Sequence, residues 1–414
     1  MSVMPHRVAV TGYGAVTPLG LNVEDSWHSL LEGKCGIGYI TLFDASEFDV
    51  KIAAEVRGFD PAAHIDPVTA RYSDRFSQFA LAAAFQAVAM SGLKITDENK
   101  FDIGVVIGSG IGGIGALSAQ YRVLYEKGPK RISPFLIPML ISDGASGQIS
   151  IKLGIMGPNF SMASSCATGA DALGMAFNLI RHGEITAMIA GGSDASITPI
   201  GIAGFTQAGA LSKNPDPAKA CRPFDKNRDG FITGEGAAVL VLENMDSALK
   251  RGAHILAEIS SYGSTSDAYH ITKPLESGEG AARAIRAALK SAGNPEIDYI
   301  NAHGTSTYFN DLSETRAIKN VFGEKASRIP VSSTKSMHGH MLGATGAFEA
   351  LICCKVVQEG IIPPTINLQD PDPECDLDYV PNTARKVAVQ HVMTNSFGFG
   401  GHNSSLIISR YEGK

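Results

Sequence analysis

Short β-branched runs that end in glycine punctuate this chain: RVAVTGYGAVTPLG, FDIGVVIGSGIGGIG, AMIAGGSDAS, DYINAHGTST and VMTNSFGFGGHNSSLIIS. Between them lie stretches whose apolar residues recur with helical period. The clearest are DRFSQFALAAAFQAVAMSG (74–92), GADALGMAFNLIRHG (169–183) and GEGAARAIRAALKSAG (278–293). Strand, glycine-rich turn, helix and strand in alternation predict an α/β fold with buried sheets. No low-complexity stretch or Pro/Ser linker divides the pattern.

The pattern also echoes itself. FSMASSCATGADALG (160–174) and VSSTKSMHGHMLGATGAFEA (331–350) are both strand-to-helix junctions rich in Ser, Gly and Ala. GFITGEGAAVLVLE (230–243) closes the first half much as GFGGHNSSLIISRYE closes the second. Two similar halves, 1–250 and 251–414, would bring their loops together at a shared face, although α/β junctions in general share such composition.

Composition narrows the class. The chain has 414 residues, 44% hydrophobic and 18% charged, enough for one large domain or two to three ordinary ones. A formal net charge of −6 without a Lys/Arg-rich run argues against a nucleic-acid partner. MSVMPHRVAVTGYG lacks the charged and apolar regions of a signal peptide, and no apolar run is long enough to span a membrane. Six scattered cysteines without C-x-x-C spacing fit a reducing cytoplasm and argue against a disulfide framework or a zinc site.

One of those cysteines stands apart. Cys166 is ringed by Ser, Ala, Thr and Gly rather than by large apolar neighbours, so a substrate could reach its sulfur. From this stretch alone a small core residue at a tight junction is an equal alternative. A free thiol titrates near about 8.5 and needs activation, which the first turn of a helix would supply by favouring thiolate. Two histidines occupy glycine-rich loops after predicted strands: His303 in NAHGTST, and His340 in STKSMHGHMLGATG, five residues after Lys335. Together with a candidate nucleophile they favour catalysis over structural roles.

Other motifs lead elsewhere. HGH (338–340) resembles an H-x-H metal pair, but Lys335 would place a positive charge beside the ion, so a catalytic metal is not expected. DKNRDGFITGEG opens like a calcium loop, yet Gly236 stands where the bidentate Glu belongs and a strand follows; it reads as a turn before a core strand. GSGIGG (108–113) fits G-x-G-x-x-G without the acidic residue about twenty positions on, so close backbone packing is the better explanation. In NSFGFGGHN, Phe399 between Gly398 and Gly400 reads as a movable aromatic stopper or as a tight turn before the last strand.

Taken together, SSCATGADA, PFDKNRDGFITGEGA, SDAYHIT, NAHGTSTYFNDLSE, SSTKSMHGHMLGATGAFE and NSFGFGG resemble the elongating β-ketoacyl-acyl-carrier-protein synthases, type II above all, over essentially the whole chain. The resemblance implies a thiolase fold with doubled βαβαβαββ halves in five α-β-α-β-α layers, a homodimer, a carrier-protein partner and no cofactor. It implies that Cys166 accepts the acyl chain as a thioester while His303 and His340 support malonyl decarboxylation. The Cys166 and Phe399 N–H groups would form an oxyanion hole, and Lys335 would orient the histidines, with Glu349 as its partner. Thr305, Thr307, Asp267 and Thr272 would hold the pantetheine arm, and Gly398 and Gly400 would free the gate. Ile111 would form the floor of the acyl tunnel, with Phe135 or Leu136 from a partner subunit. The initiating synthases carry Asn for the second His, and a thiolase needs a second catalytic Cys. The non-catalytic chain-length partners lack the Cys, and the ketosynthase of a dissociated polyketide or specialised lipid pathway is the runner-up. Departures are His338 and His402, where Thr is usual, and a docking stretch around Arg71 and Arg75 with few basic residues.

Overall fold

The computed structural model describes residues 5–413. Ten strands pair into one sheet, numbered here in chain order. They are β1 (Val8–Val16), β2 (Ile103–Gly108), β3 (Asn159–Phe160), β4 (Ala187–Asp194), β5 (Gly236–Asn244), β6 (Ala257–Ser266), β7 (Tyr299–Asn301), β8 (Val331–Ser332), β9 (His391–Gly398) and β10 (His402–Ser409). Their spatial order is β8-β7-β9-β10-β6-β1-β5-β4-β2-β3.

Divided between β6 and β1, this order becomes two identical series of five. In each, the first strand is antiparallel to the fifth and the fifth to the fourth. The fourth is parallel to the second, and the second to the third. The two series join where Val8–Val10 pair with Ala257–Ile259. The echo in the sequence is therefore a repeat of topology.

Burial explains the layers. All nine residues of β1 are buried, as expected of a strand covered on both faces. The helix Arg75–Ser91 covers one sheet from outside, and Gly12 and Gly14 let it come close: a Cβ on either would lie 2.2 or 2.1 Å from a carbonyl oxygen of Ala87 or Ala83. The helix Glu279–Ser291 covers the other, burying Ala281, Ala284, Ile285 and Ala288 on one stripe. Between the sheets lie the helices Thr168–Arg181 and Thr345–Glu359, packed on each other and on strands of both series. The second is buried at every position from Thr345 to Val357. This is the five-layered thiolase arrangement, with its two sheets continuous along one edge.

Two sequence readings are settled by local structure. DKNRDG is a knot of turns in which Asp225 accepts from the N–H groups of Asn227, Gln369 and Asp370, and it leads into β5. GSGIGG is close packing: a Cβ on Gly113 would lie 2.0 Å from the Met139 carbonyl oxygen.

Candidate active site

Cys166 follows β3, in a 3-10 turn (Ser165–Ala167) that runs directly into the helix Thr168–Arg181. Ser165 takes a left-handed backbone with φ 53°, and the Ser164 N–H donates to Thr168 Oγ1 at 2.8 Å. The small residues around the cysteine serve two ends. Gly169 admits the second half: a Cβ there would lie 2.7 Å from Gly343 O and Ala347 N. Ser165 and Gly110 instead line an open pocket beside the sulfur.

The thiol is not activated in the way its place near a helix start suggests. Cys166 precedes the first α-helical residue, and burial pushes its thiol up to about 11. The Phe399 N–H, the Lys335 ammonium and the cysteine's own N–H act against that rise, and the Asp194 carboxylate adds to it. Burial thus opposes the thiolate that nearby N–H groups favour.

Both histidines point at it. The sulfur and a ring nitrogen from each of His303 and His340 all lie within 4.8 Å of one another, and the two rings meet edge to face at 5.4 Å. His303 sits just beyond β7, where Glu314 accepts the N–H groups of His303 and Gly304 at 2.9 and 2.8 Å. His340 is fixed by its own corner: the Leu342 N–H donates to its Nδ1 at 3.2 Å. Because Nδ1 accepts, the proton of the neutral ring is on Nε2. Among the described residues that Nε2 has no hydrogen-bond partner, and neither has His303 Nδ1. Burial, with Lys335 adding to it, holds both rings well below the usual histidine range, so both are neutral at pH 7. Lys335 and Glu349 form a buried ion pair at 2.6 Å, and burial pushes the Glu349 carboxyl up to about 7 against the pull of the ammonium.

The H-x-H reading changes here. His338 bonds Thr334 Oγ1 through Nε2 at 3.1 Å and packs edge-on against Phe348, while His340 turns to Thr345 and Leu342. The potential metal ligands that converge are Cys166, His303 and His340. Such a set would need a thiolate, which burial opposes, and Lys335 sets a positive charge beside it.

Two pockets open onto Cys166, and Phe399 lines both. One, of about 70 Å³, brings together the histidines with Asp267, Thr272, Thr305, Thr307 and Gly398. Thr305 and Thr307 share a hydrogen bond at 2.9 Å. The other, of about 200 Å³, is walled by Ile111, Phe205 and Leu342. Gly400 has φ 85° and donates to the Ile271 carbonyl at 2.7 Å, which ties the Phe399 loop to the segment holding Asp267 and Thr272. Phe135 lies in neither pocket; it stacks on Tyr72 at 3.8 Å. Arg75 is engaged by Glu235 at 2.7 Å.

Sequence reasoning missed Phe231, which packs on His340, and Phe205, Leu342 and Asp194. Only Asp194 carried a signal, an acid at the end of the buried run AMIAGGSD.

The family description "Beta-ketoacyl synthase, N-terminal domain" matches residues 6–248, and "Beta-ketoacyl synthase, C-terminal domain" matches 256–369. The chain is 52% identical over 409 residues to the 3-oxoacyl-[acyl-carrier-protein] synthase 2 of Synechocystis sp., covering 98% of each. Among solved structures it resembles the ishigamide ketosynthase/chain length factor, with TM-score 0.92 and 38% identity over 98% of this chain and 100% of that one. It also resembles a ketosynthase solved with its type II polyketide acyl-carrier protein and a bound hexaketide, with TM-score 0.90 and 34% identity at the same coverage.

Proposed function

The chain belongs to the β-ketoacyl synthase family, and on that premise we propose that it condenses an acyl group with malonyl-acyl carrier protein in fatty acid elongation. The observation that carries the reading is the convergence of Cys166, His303 and His340 where two pockets meet. In the first half-reaction the Cys166 sulfur attacks the carrier thioester, and the carrier thiol leaves with the proton. The N–H groups of Cys166 and Phe399, both of which favour negative charge at the sulfur, would bind the oxyanion. In the second, malonyl-carrier loses CO₂, and the His340 Nε2–H and His303 hold the enolate oxygen. The carbanion then attacks the Cys166 thioester and expels the cysteine thiolate as the β-ketoacyl product forms, and a proton taken up from solvent restores the thiol. Neutral rings suit this work, since they donate without an ion having to be buried.

The smaller pocket, with Thr305, Thr307, Asp267 and Thr272, would take the pantetheine arm, and the larger one the acyl tail. Each buried methylene is worth about 0.8 kcal/mol, so the size of the larger pocket sets chain preference. Phe399, freed by Gly398 and Gly400, would divide the two. Lys335, anchored by Glu349, would add to the burial that keeps the histidines neutral. No resident cofactor or metal has a part in this reading.

A homodimer is supported by exposed Leu117, Tyr121, Leu124 and Tyr125 on the helix Ile114–Lys127 and by Ile137 and Ile141 nearby. Phe135 would reach the partner's tunnel from that face. The halves 1–250 and 251–414 would each be one thiolase-like unit, and six free cysteines suit the cytoplasm. A polyketide ketosynthase is the second reading, favoured by the likeness, at 34% identity, to the ketosynthase solved with its type II polyketide carrier protein. The higher identity, 52%, is to a fatty acid enzyme.

Intact mass after mixing with acyl carrier proteins of graded chain length tests the reading. One acyl adduct is expected on the wild type and none on Cys166→Ala. An adduct that survives in the variant overturns the assignment.

A further inference from the structure

Asp194 is a fully buried acid at the end of β4 whose partners are Gly110 and Ile111 of the larger pocket's lining, with Ser109 and Gly343, each next in the chain to a lining residue. Its Oδ1 accepts from Ser109 Oγ at 2.8 Å and from the Ile111 N–H at 3.2 Å. Its Oδ2 accepts from the Gly110 N–H at 2.9 Å and from the Gly343 N–H at 2.7 Å. Ser109 in turn accepts the Gly112 N–H at 2.9 Å. The floor loop 109–112 and the corner that carries Leu342 and Gly343 are thus held by one carboxylate, across the boundary between the two strand series.

The packing is built around that group. A Cβ on Gly343 would lie 2.6 Å from Asp194 Oδ2, and one on Gly110 3.1 Å from it. Two glycines leave the carboxylate room to reach backbone N–H groups on both sides. Four donors offset part of the cost of burial, which still pushes the carboxyl up to about 6, and a neutral amide could not accept from all four.

We propose that Asp194 is a specificity-determining positioning residue that clamps the acyl-pocket floor at Ile111 to the opposite wall at Leu342. The inference rests on the reading of the larger pocket as the acyl site. With the floor backbone pinned at Gly110 and Ile111, only the Ile111 side chain can yield to a lengthening chain. Releasing the clamp lets the loop move and blurs the limit on chain length. The same carboxylate is a negative charge near Cys166, whose other charged and titratable neighbours are Lys335, His303 and His340.

Two variants test this. Asp194→Asn presents N–H to backbone N–H and removes the charge; Ser109→Ala removes one bond to the carboxylate, together with the hydroxyl that accepts the Gly112 N–H, and keeps the charge. For each, the acylation rate is measured with a short and a long acyl-carrier protein. The alkylation of Cys166 by iodoacetamide is followed against pH, which needs no turnover. The long-to-short ratio is expected to change at least about fivefold in Asp194→Asn and less in Ser109→Ala. The alkylation profile should move to lower pH in Asp194→Asn alone, because a like charge no longer opposes the thiolate. A merely structural role would lower stability and leave the ratio alone. Ratios within twofold of wild type in the folded variants overturn the proposal, and if Asp194→Asn does not fold, Ser109→Ala decides. A wild type that alkylates normally but takes no acyl group of any length would instead overturn the functional reading.

Discussion

The corner at Cys166 and the corner at Gly343 are the same piece of backbone used twice. CATGA (166–170) and GATGA (343–347) align residue for residue. Each is preceded by a left-handed non-glycine residue, Ser165 at φ 53° and Leu342 at φ 50°. Each turns through one 3-10 turn into a central helix, Thr168–Arg181 or Thr345–Glu359. The two helices pack on each other, Gly169 facing Ala347 and Gly346 facing Ala170. What differs is the residue after the left-handed one. The first half places a thiol there, with the Phe399 N–H favouring negative charge on its sulfur. The second places a glycine whose N–H is taken by Asp194.

The difference shows how a repeat divides labour. A corner of this shape can offer a side chain to the pocket or brace the pocket wall. In the second half the groups facing the sulfur both precede the corner rather than sit at it: His303 after β7 and His340 just before the turn. The Leu342 N–H that orients the His340 ring belongs to the corner itself.

The largest expected effect comes from making the corners alike. Cys166→Gly turns the first into a copy of the second; it should fold, with Tm within a few degrees of wild type, and form no acyl adduct by intact mass. Unfolding of this variant would break the equivalence of the two corners.

Next is the thiol's own titration. With the Cys166 pKa raised to about 11, the thiolate fraction climbs about tenfold per pH unit from pH 7 to 9.5, and iodoacetamide alkylation should climb with it. A plateau by pH 9 would mean an ordinary or activated thiol.

His340→Ala removes the donor held by the second corner. Condensation should fall on the order of 10²–10³-fold, the usual cost of an oxyanion donor, while acyl transfer to Cys166 stays within about tenfold. Equal losses in both half-reactions would assign His340 to the first as well.

Gly343→Ala tests the bracing role. The added Cβ would crowd Asp194 Oδ2 and the Gly110 N–H, both at 2.6 Å, so a loss of about 1–3 kcal/mol is expected in denaturant unfolding. The smallest effect is expected from Ser165→Gly. It relieves a left-handed serine but loosens the unfolded chain, and the two terms nearly cancel within about 1 kcal/mol. Acylation should be unchanged; a slower rate would show that the Ser165 side chain itself shapes the pocket.

The sequence alone determined the alternation of strand and helix, because buried strands and amphipathic helices write their periods directly into apolar spacing. It also exposed Cys166, His303 and His340, because chemical residues among small ones at strand ends break the packing pattern. The DKNRDG and GSGIGG decoys were legible for the same local reason. What no local pattern carried were distances between segments hundreds of positions apart. Only the tertiary structure made the echo a duplicated strand order. It also joined Ser109, Ile111 and Gly343 on the Asp194 carboxylate and fixed the His340 tautomer through a backbone N–H. The balance of forces on the Cys166 thiol lay out of reach for that reason too. Helix starts are visible in sequence, but desolvation depends on everything packed around the sulfur, and here it outweighs the nearby N–H groups.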